Sequence, residues 1–235
     1  MGTRMEMLDL EGYELVPRVI PPTAVASLCS AVSALVGAEG IRQRNDRVYA
    51  IRNLLSICRE VRQFADSAEV RSLVESAIGG KALPVRAILF DKTPESNWKV
   101  PWHQDLSIAV RERMDVPGFG PWSVKAGVVH VQPPVRLLES MLTLRLHLDD
   151  CQASNGPLRV LPGSHRHGTL SPEQIEDWRS RVMPVSCVLP AGGAVLMRPL
   201  ILHASSPATE PGHRRVVHIE WSSEDLPHGL QWHQG

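Results

Sequence analysis

The spacing of hydrophobic residues changes about one third of the way along the chain. In "PPTAVASLCSAVSALVG", residues 21–37, apolar positions recur at helical spacing between prolines and a glycine, which predicts an amphipathic helix. The same spacing continues over residues 54–78, and a Gly-Gly pair ends it. Residues 1–80 are therefore predicted to be mainly helical.

After residue 80 the chain consists of short apolar runs separated by Pro, Gly, Asn and Asp, which is typical of an antiparallel sandwich or barrel. In "SMLTLRLHLDD", residues 140–150, leucines alternate with polar residues, and "RRVVHIEW", residues 214–221, alternates in the same way. Such strands have one apolar and one polar face, which suits a ligand-holding barrel with a polar lining and an outer layer of helices. The candidate strands are 84–91, 102–109, 124–132, 140–149, 157–161, 184–189, 193–202 and 214–222.

One apolar segment, "WKVPWHQDLSIAV" at residues 98–110, carries a histidine and an aspartate two positions apart. Alternate residues of a strand share a face, so His103 and Asp105 are expected to converge. A two-histidine, one-carboxylate metal site needs another imidazole. The best candidate is His203, which follows the apolar run "GGAVLMRPLIL" where that strand is expected to open into a loop. Several strands separate His203 from Asp105, so only a closed sheet brings them together.

Composition excludes several classes of function. The 25 basic residues balance the 25 acidic ones, which argues against a nucleic-acid partner or a membrane attracted by charge. The four cysteines are scattered without a CxxC pair, so a zinc ribbon or disulfide framework is not expected and a reducing cytoplasm fits best. No signal-type segment or run of about 20 apolar residues is present. With no repeat or long linker, one domain over residues 1–235 is expected.

The order HxD, a distant His and an Arg about one strand later resembles the Fe(II)/2-oxoglutarate-dependent dioxygenases, specifically the phytanoyl-CoA dioxygenase family. The likeness covers most of the chain and includes "LFDKTPESNWKVPWHQD", "NGPLRVLPGSHRHG" and "LILHASSPATEPGHRRVVHIEW". A bare HxD is weak evidence, whereas the ordered set of three segments is strong. The resemblance implies a mostly β fold with flanking helices, a double-stranded β-helix (jelly roll, cupin-like), with residues 81–235 as its core and 1–80 as helical support.

The same resemblance implies a ligand set. His103, Asp105 and His203 would hold Fe(II), leaving three coordination positions for 2-oxoglutarate and O2. Arg214 would bind the distal carboxylate of 2-oxoglutarate, because a guanidinium pairs bidentately with carboxylates and stays charged. Ser205 would assist it.

Two further residues are candidates for binding 2-oxoglutarate. Lys92 matches a family lysine that reaches the co-substrate. Arg215 is the alternative anchor if the register slips by one, although it shares a face with the apolar residues Val217 and Ile219, which favours Arg214.

The sequence patterns that predict substrate contacts are less specific than those that predict the metal and 2-oxoglutarate sites. Thr143, Arg145 and His147 share the polar face of one strand and are candidates for lining a cavity. Trp98 is placed either at the substrate mouth or in the core, and residues 111–134 are a candidate lid. His165 and His167 also have ligand-like spacing, but the surrounding turn signals favour a structural interpretation.

The predicted activity is hydroxylation of an unactivated C–H bond in a small organic metabolite, with release of succinate and CO2. Asp105 supports this outcome, because related halogenases have a small residue there. The sequence contains no Gly-rich phosphate cradle and no basic cluster, so a small metabolite is preferred over an acyl-coenzyme A. Two alternatives stay open: a cupin-like metalloenzyme that does not use 2-oxoglutarate, and a catalytically silent ligand-binding jelly roll. The oligomeric state is not predicted.

Overall fold

The computed structural model describes residues 4–35, 41–44 and 47–234, and side chains for 4–35 and 50–234. Its α-helices are α1 (Arg4–Glu11), α2 (Pro22–Ser33), α3 (Leu54–Ile57), α4 (Arg59–Asp66), α5 (Ala68–Ile78), α6 (Val135–Glu139) and α7 (Pro172–Arg181).

The two predicted helical regions are confirmed, with different internal boundaries. The helix predicted over 21–37 is α2, and positions 36 and 37 lie outside the described residues. The region 54–78 is divided into three helices because Cys58 and Ser67 adopt extended backbone conformations. The Ser67 side chain caps α5, and Gly79 ends that helix in the left-handed conformation with φ of 85°.

The strands form three antiparallel sheets. The seven-stranded sheet contains, in spatial order, β1 (Tyr13–Val16), β12 (Ala194–Met197), β9 (Met141–His147), β14 (Arg214–Ser222), β4 (Leu83–Lys92), β3 (Arg47–Ile51) and β2 (Ile41–Arg44). The four-stranded sheet contains β11 (Val185–Cys187), β10 (Leu158–Val160), β13 (His203–Ser205) and β5 (Val100–His103). The three-stranded sheet contains β6 (Ile108–Val110), β8 (Val128–Val131) and β7 (Trp122–Lys125).

The alternation along β9 and β14 decides where the core and the cavity lie. Leucines of β9 and the apolar side chains of β14 pack with α2, α4 and α5 in one hydrophobic cluster on the outer face of the seven-stranded sheet. The opposite faces of the same strands carry polar side chains, and Arg145, Arg214, His218 and Glu220 among them line a cavity shared with the four-stranded sheet. The predicted jelly roll with flanking helices is thereby confirmed, and residues 1–80 contribute β1, β2 and β3 as well as helices.

Three predicted strands are wrong in extent. The run 102–109 is divided into β5 and β6, because the Gln104 side chain bonds the backbone of Gly168, Leu170 and Leu200 and the chain leaves the sheet there. The run 124–132 is mostly a hairpin of β7 and β8. Its turn at Ala126 and Gly127 has φ of 51° and 76°.

The run 193–202 contains a single strand, β12, and the next strand, β13, lies in a different sheet. β12 ends at Met197, shortly before Pro199, which has no N–H to donate to a strand ladder. His203 therefore begins β13 and does not follow the end of a continuous strand. Among the described residues, no helix is both long and apolar enough to cross a bilayer.

Candidate metal centre and active site

Two histidines from neighbouring strands face each other at one end of the four-stranded sheet. His103 is the last residue of β5 and His203 the first of β13, and the two are register partners. Their ring centroids lie 4.2 Å apart. Asp105 follows β5, and its backbone N–H donates to Pro199 O, which holds the loop against the segment between β12 and β13.

These three residues converge on one point, as the sequence predicts. The Nε2 atom of His103 lies 3.8 Å from Asp105 Oδ1, and that of His203 lies 3.6 Å from Asp105 Oδ2. One ligand atom from each residue lies within 4.8 Å of the other two. The convergence does not arise from alternation along one strand, because β5 ends before Asp105, and that part of the reasoning is wrong.

Each imidazole is oriented by its own backbone. His103 Nδ1 lies 2.8 Å from Pro101 O, and His203 Nδ1 lies 2.9 Å from Ile201 O. A neutral ring that donates from Nδ1 has its lone pair on Nε2, the atom that faces Asp105. This backbone support is the usual way in which proteins orient metal-binding histidines.

Burial and charge also suit a metal. Burial lowers the pKa of His203 to about 3, so its ring is neutral at physiological pH. Burial alone would raise the pKa of the Asp105 carboxyl, but the imidazoles of His203, His218 and His103 hold it below its ordinary value. Asp105 Oδ2 is buried without a hydrogen-bond partner. Two imidazole nitrogens and a carboxylate oxygen form a donor set that fits a divalent transition metal such as iron.

A second polar group is built around Arg214, at the start of β14, beside Lys92 at the end of β4. Arg214 is 4% exposed, and its Nη1 donates to Gly156 O. Lys92 Nζ donates to Ser205 Oγ over 2.7 Å, and Ser205 Oγ donates to Gly156 O over 3.0 Å. Arg214 Nε is buried without a partner. The cluster therefore presents cationic and hydroxyl groups within a buried environment.

No carboxylate of the described residues forms an ion pair with Arg214 or Lys92. Burial, followed by repulsion from Arg214, lowers the pKa of Lys92 to about 7. Two buried cations without a counter-ion favour an anionic ligand.

Arg215 is engaged elsewhere. Its Nε and Nη2 donate to the two carboxylate oxygens of Asp149 over 3.0 and 2.6 Å. The Asp149 hydrogen bonds raise the pKa of Arg215 well above its ordinary value. Arg215 does not line the cavity. The geometry therefore favours Arg214 as the residue available to an anion.

The triad and Arg214 border the same cavity of about 250 Å³. Of the residues predicted to touch a substrate, Trp98 and Arg145 line this cavity, whereas Thr143 and His147 do not. Thr143 borders a separate void of about 10 Å³ beside Asp105. His147 is 1% exposed, and burial lowers its pKa to about 3.

The two histidines interpreted as structural lie away from the triad. His165 and His167 belong to a short 3-10 helix, where His165 Nε2 contacts Asp9 O and His167 packs against Trp178. Gly163, which precedes this helix, has φ of 77° and supplies the expected turn.

Several cavity residues were missed by sequence reasoning. Arg145 Nη1 lies 2.7 Å from His218 Nδ1, and His218 Nε2 lies 3.3 Å from Glu220 Oε1, which also accepts from Arg86 over 2.9 Å. The alternation of β14 places His218 and Glu220 on the same face as Arg214, so the sequence pattern did indicate that both could line the cavity. The missed residues that line the cavity are Arg52, Arg86, Ile88, Phe90, Val100, Ser107, Lys125, Leu158, His218 and Glu220.

The cavity contains a basic cluster that the sequence does not show. No basic cluster exists along the chain, yet the fold brings Arg52, Arg86 and Lys125 together from three distant segments. No linear pattern indicates this proximity.

Two facing sheets around a His-Asp-His triad define a jelly-roll protein with a candidate metal centre. A profile described as phytanoyl-CoA dioxygenase (PhyH) matches residues 8–216, and the chain belongs to this family. It is therefore an Fe(II)- and 2-oxoglutarate-dependent dioxygenase, as predicted, for which Fe(II), 2-oxoglutarate and O2 are the cofactor and co-substrates. A comparison with curated protein sequences finds no match.

Solved structures share the fold at low sequence identity. AviO1 from Streptomyces viridochromogenes Tue57 is 22% identical with a TM-score of 0.70, and the alignment covers 95% of each chain. EctD from S. alaskensis, crystallised with 2-oxoglutarate and 5-hydroxyectoine, is 18% identical with a TM-score of 0.74, over 93% of this chain and 74% of EctD.

A third structure, the non-heme alpha ketoglutarate dependent carbocyclase SnoK from nogalamycin biosynthesis, is 16% identical with a TM-score of 0.73. The alignment covers all of this chain and 89% of SnoK.

Proposed function

We propose that this dioxygenase hydroxylates an unactivated C–H bond of a small organic metabolite, with His103, Asp105 and His203 as iron ligands and Arg214, Ser205 and Lys92 as the 2-oxoglutarate anchor. The observation that carries this proposal is that one cavity contains both the convergent triad and a buried, unpaired guanidinium. A metal site alone would not require the guanidinium, and an anion site alone would not require the triad.

Iron(II), together with 2-oxoglutarate and O2, supplies the oxidising chemistry, in which the keto acid is cleaved to succinate and CO2 and one oxygen atom enters the substrate. The protein positions the reactants. The backbone carbonyls of Pro101 and Ile201 orient the two imidazoles with Nε2 facing inward. Arg214 would hold the distal carboxylate of 2-oxoglutarate, and Ser205 and Lys92 would contribute hydrogen bonds to it.

The exposure of the triad supports one direction of substrate entry. The His203 side chain is 4% exposed, whereas those of His103 and Asp105 are 38% and 33% exposed. Substrate therefore approaches from the side of His103 and Asp105, and Trp98 and Phe90 contribute aromatic surface to the cavity. The volume of about 250 Å³ favours a small substrate.

The direct test is a measurement of succinate formation by purified protein with Fe(II), 2-oxoglutarate and O2, without any substrate and then with a metabolite library. We expect slow succinate release that accelerates when a substrate binds, and an oxygenated product detectable by mass spectrometry. Iron binding without any consumption of 2-oxoglutarate would favour the silent jelly roll. Oxygen consumption independent of 2-oxoglutarate would favour the cupin-like metalloenzyme. A cytoplasmic location stays a prediction.

A further inference from the structure

The polar face of β14 extends well beyond the 2-oxoglutarate anchor. Arg214 pairs with Lys92 at one end of this face, and Glu220 pairs with Arg86 at the other. The two ends are six positions apart along the strand, which corresponds to roughly 20 Å at ~3.3 Å per residue. Arg214 at one end and Arg86 and Glu220 at the other border the same cavity, whereas Lys92 does not line it.

A single 2-oxoglutarate molecule does not reach both ends. Its two carboxyl carbons are joined by four C–C bonds of about 1.52 Å each, so they lie at most ~6 Å apart. If the distal carboxylate binds Arg214 and the keto-acid end binds the metal, the Arg86 end is left to another ligand.

That other end is cationic. We define the distal cation cluster as Arg52, Arg86 and Lys125, which all line the cavity. Within this cluster, Arg86 Nη1 donates to Glu220 Oε1 over 2.9 Å. Burial, followed by repulsion from Arg86 and Arg52, lowers the pKa of Lys125, and attraction to Asp105 and Glu220 opposes this shift only in part.

Lys125 has a neutral partner. Its Nζ lies 2.9 Å from Ser107 Oγ, and no carboxylate of the described residues forms an ion pair with it. The buried imidazole of His130 lies nearby, and burial together with the charge of Arg86 lowers the pKa of His130 to about 4, so His130 is neutral too. The hairpin that supplies Lys125 belongs to residues 111–134, the candidate lid.

We propose that the distal cation cluster is a substrate subsite for an anionic group, a carboxylate or a phosphate, with Lys125 and Arg86 as its principal contacts. This inference rests on the proposed function and specifies its substrate class. The substrate is anchored by its charged end at Lys125 and directs its C–H bond toward the metal beside Asp105, which borders the same cavity.

The test compares matched probes on the anaerobic protein loaded with Fe(II) and saturating 2-oxoglutarate. Isothermal titration calorimetry measures the binding of hexanoate, hexyl phosphate and hexan-1-ol, which share an alkyl chain and differ in charge. Saturating 2-oxoglutarate blocks Arg214, so the remaining anion affinity belongs to the other end. We expect at least one anion to bind about tenfold or more tightly than the alcohol, because a hydrogen bond to a charged group contributes more than a neutral one. The comparison of the two anions identifies which group the subsite prefers.

Two variants of Lys125 and one control variant show whether Lys125 is responsible for the anion affinity. Lys125→Met should weaken binding of the preferred anion about tenfold without changing hexan-1-ol binding, and Lys125→Arg should retain most of the affinity. Lys81→Met, an exposed lysine outside the cavity, should have no effect. Equal affinity for the alcohol and both anions, no binding of any probe, or unchanged anion affinity in Lys125→Met would overturn the proposal. Failure of the proposed function is separate, because it shows as absence of Fe(II) or 2-oxoglutarate binding before any probe is added.

Discussion

His103 and His203 lie side by side on adjacent antiparallel strands, with ring centroids 4.2 Å apart, although most of the jelly roll separates them in sequence. This pairing depends on the folding of the complete four-stranded sheet, because β13 must lie between β10 and β5. The metal centre is therefore a product of the closed fold and not of a local motif. Asp105 completes it from the loop that follows β5.

The anchor for 2-oxoglutarate should depend on Arg214 and not on Arg215. Arg214→Lys retains the charge but loses the planar guanidinium, so we expect the dissociation constant for 2-oxoglutarate to rise about 10- to 100-fold. Arg215→Lys disturbs the ion pair with Asp149 and should leave this constant within about twofold of wild type. Anaerobic titration of the Fe(II) protein with 2-oxoglutarate measures both. A larger rise in the dissociation constant for Arg215→Lys than for Arg214→Lys would show that Arg215 is the anchor.

Binding of 2-oxoglutarate should weaken as pH rises above about 7. The folded-state pKa of Lys92 is lowered to about 7, so its amine is cationic below this pH and neutral above it. Only the cationic form attracts the carboxylate, and binding should therefore be accompanied by proton uptake near and above pH 7. Calorimetry in buffers of different ionisation enthalpy measures the uptake. The Lys92→Met variant should lose it, and identical proton uptake by this variant would rule out Lys92 as the source.

Gly156 should be essential for the shape of the anchor. Its carbonyl accepts from Arg214 and Ser205, and its φ is 68°. A Cβ atom there would lie 2.5 Å from Ser206 O, which is backbone. We expect Gly156→Ala to cost about 1–3 kcal/mol in the free energy of unfolding and to weaken 2-oxoglutarate binding.

The matched control for this glycine is Gly80→Ala. A Cβ atom at Gly80 meets no other atom within 4 Å, so the substitution should change neither quantity appreciably. Urea denaturation gives the free energy of unfolding, and the anaerobic titration gives the affinity. Wild-type binding by a folded Gly156→Ala protein would contradict the role assigned to this turn.

The sequence predicted those parts of the fold that periodicity determines. Helical spacing located the supporting helices, and strict alternation along β9 and β14 separated the core face from the cavity face. Strand boundaries were less predictable, because they depend on tertiary contacts. The Gln104 side chain ends β5 through hydrogen bonds to residues that are distant in sequence.

The residues of the candidate site were likewise predictable only in part. The triad and Arg214 were predictable because a family resemblance supplied an order of motifs for them. Lys125 and Arg86 carried no linear signal, since their proximity arises only when the β7–β8 hairpin packs near β4. His147 shares a strand face with Arg145 but does not border the cavity, because a face that is polar in sequence can extend past the ligand space.

The most direct test of the account is the stoichiometry of Fe(II) binding under anaerobic conditions, measured by calorimetry for wild type, His203→Ala and His167→Ala. The account predicts one Fe(II) per chain for wild type and for His167→Ala, whose imidazole lies outside the triad. It predicts loss of this site in a folded His203→Ala protein. Iron binding of wild-type affinity by His203→Ala would contradict the central claim that His103, Asp105 and His203 hold one metal ion.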